Sequence, residues 1–109
     1  KTMANPLWCN NVTPTGAGTG RVSQTTEQEI SSNASRTSIT LQNLGTDEIY
    51  VRLDATTPTS SNAHYIMSAP SSSLGGDGGF LKVDGYVGAM KVYAGGTSFT
   101  VQVVEYQTT

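Results

Sequence analysis

SRTSITLQN, residues 35–43, decides the fold: Ile39, Leu41 and Asn43 fall on one parity with Thr37, while Ser38, Thr40 and Gln42 fall on the other. A period of two belongs to a pleated strand with one face in a core and one in water; a helix would repeat its apolar residues at three and four. The same alternation recurs along the chain. EIYVRLD (48–54) turns Ile49, Val51 and Leu53 inward, FLKVD (80–84) Leu81 and Val83, and MKVY (90–93) Met90 and Val92. In SFTVQVVEY (98–106) Phe99, Val101 and Val103 face in, with Thr100, Gln102, Val104 and Tyr106 outward. Two weaker strands are expected in RVSQTTEQEI (21–30), polar on both faces, and AHYIMSA (63–69).

Turn residues separate these runs: NLGTDE (43–48), TTPTSSN (56–62), APSSSLGGDGG (69–79), DGY (84–86) and AGGT (94–97). Short alternating strands with such punctuation predict an all-β domain, a compact antiparallel β-sandwich or barrel of about six to eight strands. The first twenty residues, KTMANPLWCNNVTPTGAGTG, keep neither period and contain Pro6 and Pro14. They read as an extended N-terminal arm (1–20) ahead of a single domain (21–109), with Met3, Leu7 and Trp8 as apolar surface that gains by docking.

The chain has 109 residues, a formal net charge of −2 and only 13% charged residues. Its six Lys and Arg are scattered singly, without the basic footprint that nucleic acid or an anionic bilayer requires. No apolar run approaches the roughly 18 residues of a spanning helix. Cys9 is the sole cysteine, so neither an internal disulfide nor a cysteine zinc site can form. Sequons at Asn11-Val12-Thr13 and Asn33-Ala34-Ser35 read as chance matches in a chain rich in Asn, Ser and Thr.

The most chemically suggestive run is LGGDGGF, residues 74–80. It lacks the strand-to-helix setting of a dinucleotide fingerprint, the Gly-Lys-Ser/Thr of a P-loop and the tandem repeats of a calcium β-roll. It therefore reads as a connecting loop whose glycines reach positive φ around Asp77. His64, the one histidine, has no nucleophile context and reads as a strand-surface residue. Asp47, Glu48, Asp54, Asp77, Asp84 and Glu105 read mostly as turn or outward positions, and no spacing marks two of them as an acid/base pair. No catalytic, cofactor or metal residue is assigned. Tyr50, Tyr93 and Tyr106 sit on the outward parity of their strands and are the expected partner contacts, together with Met3, Leu7 and Trp8.

From residue 35 to 106 the order of strands and turns resembles the small β-sandwich proteins of tailed-bacteriophage virions. The resemblance rests on a strand ending in Asn43-Leu44-Gly45, the IYV strand at 49–51, the Thr/Ser-rich link, the Pro/Gly-rich loop and the closing GAMKVYAGGTSFTVQVVEY (88–106). It implies a non-enzymatic structural role: a capsid cement or decoration protein, or a related head or tail component. The expected partner is the major capsid protein or another virion protein. The expected state is a homo-oligomer, dimer or trimer, on the capsid surface of particles made in the bacterial cytoplasm. The alternative from another class is a carbohydrate-binding or host-attachment β-sandwich of a tail or fibre, which requires aromatics gathered on one face beside Asp, Asn or Gln.

Overall fold

The computed structural model describes residues 12–14 and 20–108. Among them are nine strands: β1 (Val12–Pro14), β2 (Gly20–Gln24), β3 (Gln28–Ile30), β4 (Arg36–Asn43), β5 (Ile49–Arg52), β6 (Tyr65–Met67), β7 (Phe80–Asp84), β8 (Met90–Tyr93) and β9 (Phe99–Thr108). They form two antiparallel sheets, as the alternation predicts. In the first, β9 lies between β4 and an edge made by β1 and β2 in series, and β7 closes the far side of β4. The second runs β3-β8-β5-β6. Most connections pass from one sheet to the other, with β5 and β6 the one consecutive pair within the second sheet.

The core lies where the two apolar parities meet. Ile39, Leu41, Ile49, Val51, Met90, Val92, Phe99, Val101 and Val103 are all buried, as expected from their strands, and Ile30, Met67 and Ala94 join them. Leu53, Leu81 and Val83 are only partly buried. The reason for Leu81 and Val83 is position: β7 is an edge strand, so one flank of each side chain has no neighbouring strand over it.

Four local readings are corrected. RVSQTTEQEI is not one strand: β2 pairs with β9 and β3 with β8, so the chain changes sheets between Gln24 and Gln28. Thr37 does not share the inward face, because a bulge shifts the register between Arg36 and Ser38 and turns Arg36 inward instead. Glu105 is not outward; it is 1% exposed, on the inward parity of β9. The glycines of LGGDGG are not at positive φ, since Leu74 alone in that run takes it, at 63°. They serve close approach. A Cβ on Gly78 would stand 1.9 Å from the Asn43 carbonyl oxygen, and one on Gly79 2.5 Å from the Ser68 amide nitrogen. The glycine loop is thus laid against the ends of β4 and β6. Gly78→Ala is expected to cost about 1–3 kcal/mol by overpacking, whereas Gly76→Ala, with nothing within 4 Å, should stay within about 0.5 kcal/mol of wild type. Parallel urea titrations of the two variants check this; equal midpoints would refute it.

Of the segment read as an arm, Val12–Pro14 pairs with Thr108–Tyr106 of β9. Met3, Leu7, Trp8 and Cys9 lie outside the described residues.

Candidate interaction surfaces

The registers arrange the outward side chains in rows. On the second sheet Tyr50 stands opposite Tyr93 on one side and Ile66 on the other, giving the row Tyr93–Tyr50–Ile66 across β8, β5 and β6. The two tyrosines are half-buried and Ile66 is 50% exposed. Directly opposed aromatic and branched side chains support each other across strands, so this row is a firm ridge.

The adjoining row, Glu29–Lys91–Arg52, is charged. Its cations are held in place: Lys91 Nζ lies 3.2 Å from Glu27 Oε1, and Arg52 Nη2 2.5 Å from Asp54 Oδ2. Arg52 Nη1 also donates to the Asn62 carbonyl at 2.6 Å. The Thr57 hydroxyl, then Lys91, hold the Glu27 carboxyl below its usual range. Arg52, then the Thr56 amide, hold that of Asp54 well below the usual carboxylate range. Solvent screens such surface pairs, so they add little to stability. Their effect here is to fix long side chains beside the aromatic ridge.

On the first sheet the outward rows are Arg21–Gln102–Gln42–Phe80, then Val104–Thr40–Lys82, then Tyr106–Ser38–Asp84. Ser38, Thr40, Phe80, Lys82 and Tyr106 line an open groove of about 390 Å³ with β4 as its floor. Phe80 is 63% exposed at the edge strand.

The predicted contacts therefore divide. Tyr50 and Tyr93 are neighbours on one outer face, while Tyr106 belongs to the opposite one; the two sheets stand between them. Ile66 and Phe80 were missed by sequence reasoning, although parity alone puts both outward: Met67 and Leu81, one residue on, point toward the core. His64 is exposed as expected, and its Nδ1 accepts the Leu53 amide at 2.9 Å, holding the end of β5 to the start of β6. Asp77 accepts the Ser71 amide at 3.1 Å, so its carboxylate closes the glycine loop from within. No group of three or more metal-ligating side chains occurs among the described residues.

No family model, no curated protein and no solved structure matches this chain.

Proposed function

We propose that this protein is a non-enzymatic structural component of a tailed-bacteriophage virion, a cement or decoration protein that binds across major capsid subunits and stabilises the head. The observation that carries the reading is the Tyr93–Tyr50–Ile66 ridge on the four-stranded sheet, flanked by ion-paired charges. Aromatic anchors inside a polar rim are the usual anatomy of a protein contact. The resemblance of residues 35–106 to virion β-sandwich proteins supplies the class of partner. In this reading the ridge meets the shell, Met3, Leu7 and Trp8 of the arm add apolar contact, and the protein acts as a dimer or trimer on the particle surface. Neither nucleic acid nor membrane is a partner, and no cofactor takes part.

The test is co-sedimentation with purified heads lacking this protein. The wild-type chain should saturate them, and Tyr50→Ser/Tyr93→Ser should bind at least about tenfold more weakly while keeping its circular dichroism. Failure of the wild type to bind any head, or undiminished binding by the folded double variant, would refute the proposal.

A further inference from the structure

One border of the five-stranded sheet is left open. We infer that β7 pairs antiparallel with β7 of a second copy of this chain, joining the two five-stranded sheets into one across a two-fold axis at Val83.

The backbone decides which groups are available. At one end of the β4–β7 ladder the Gly85 amide donates to the Thr37 carbonyl at 2.9 Å, and at the other the Asn43 amide donates to the Gly79 carbonyl at 2.9 Å. Hydrogen-bonded pairs alternate along an antiparallel ladder, so between these ends the residues of β7 bonded to β4 are Leu81 and Val83. The amides and carbonyls of Phe80, Lys82 and Asp84 therefore point away from β4. No strand pairs with that side among the described residues.

The other borders are blunted. β3 and β6 have three residues each, β1 has three and ends in Pro14, and β2 carries a single apolar residue, Val22. β7 runs for five residues, three of them apolar, without a proline or a bulge.

The side chains select the occupant. An antiparallel pairing centred on Val83 sets Lys82 opposite Asp84 of the second copy, and Asp84 opposite its Lys82. These are residues whose backbone groups point outward, so each such pair exchanges both of its main-chain hydrogen bonds. Opposite charges directly across a pair favour it, whereas a register centred on Lys82 would set two ammonium groups against each other. Within one chain Lys82 Nζ already lies 3.8 Å from Asp84 Oδ1, so the dimer would hold an alternating cluster of charges on its outer face. On the inner face Val83 meets its own copy. Leu81 and Val83 pack against the core but are only partly buried, and the added strand covers the flank left open by the missing neighbour.

The contact is isologous and closes at two copies. A border of five residues is small, which sets a modest affinity. The axis of an antiparallel pair stands perpendicular to the sheet, so both tyrosine ridges face the same way and can grip one surface at two points.

The test uses the purified full-length chain alone, which keeps its outcome separate from that of head binding. Sedimentation velocity should show a monomer passing to a dimer as the concentration rises to about 1 mM. Over the same range hydrogen exchange of the Lys82 and Asp84 amides should slow, while those of Leu81 and Val83 stay protected throughout. Lys82→Asp and Asp84→Lys each place like charges across the pair and should weaken association at least about tenfold. Both side chains are mostly in water, so neither reversal should move the melting temperature. Mixing the two variants in equal amounts restores opposite charges at both positions and should return association to the wild-type level. The inference is overturned if the wild type stays monomeric at the highest concentration or forms a trimer, if either variant alone associates as wild type does, or if the mixture associates no better than its components.

Discussion

Arg36→Ala is expected to destabilise the domain by about 3–5 kcal/mol, the usual consequence of removing one partner from a buried ion pair. Both side chains are out of water, Arg36 at 0% and Glu105 at 2% exposure. The guanidinium donates four hydrogen bonds and stands in a close ion pair. Nε and Nη2 reach Glu105 Oε2 at 2.7 Å, Nη1 donates to the carbonyls of Tyr86 and Gly88 at 3.1 and 3.0 Å, and Nη2 to that of Ser31 at 2.8 Å. Ser31 opens the crossing from β3 to β4, and Tyr86 and Gly88 lie on that from β7 to β8. One side chain thus ties together two connections between the sheets and the distal part of β9.

Truncation would strip three part-buried carbonyls of this donor and remove the cation beside a buried carboxylate. Arg36→Lys should fall between wild type and alanine, because an ammonium offers three donors from one point and cannot span this set of acceptors. A paired replacement, Arg36→Met/Glu105→Leu, should recover part of the loss, since no charge then stays buried. Chemical denaturation followed by circular dichroism measures all three. For a domain of this size the alanine variant should melt about 10 °C or more below wild type. An alanine variant within about 1 kcal/mol of wild type would show that the network contributes nothing net.

Val101→Asp should prevent folding altogether. Val101 is 0% exposed and stands opposite Val22 of β2 and Asn43 of β4, in the strand that both neighbours need. A carboxylate there meets apolar side chains. The penalty of several kcal/mol for an unpaired buried ion approaches the roughly 5–15 kcal/mol that stabilises a typical domain. Gln102→Asp, one residue along on the outward parity, is the control and should cost little. Heteronuclear NMR spectra and size-exclusion profiles of the two variants give the answer: a dispersed spectrum from a monodisperse Val101→Asp protein would contradict the inward register of β9.

Much of the fold was legible because parity is a local property. Within SRTSITLQN, EIYVRLD, MKVY and SFTVQVVEY each apolar residue declares its face through its immediate neighbours, and nine of the core side chains follow from that alone. Parity fails where the ladder itself is irregular. The bulge before Ser38 adds one residue to β4, exchanging Thr37 for Arg36 on the inward side, and nothing in the local pattern of apolar residues marks that insertion. Glu105 illustrates the converse case. Its parity was inward all along, but a carboxylate reads as outward until a buried cation is known to meet it, and Arg36 lies 69 residues away in sequence.

The candidate surfaces divide in the same way. That Tyr50, Tyr93 and Tyr106 point outward is determined by the sequence, because each alternates with buried residues of its own strand. That Tyr50 and Tyr93 form one ridge while Tyr106 faces the opposite way, on the sheet that carries Phe80, was decided only by the tertiary structure. A strand's own residues specify which side is wet. Which strands become its neighbours, and so which wet sides coincide, depends on how two sheets pack their apolar faces together and on chain crossings that carry no period to read.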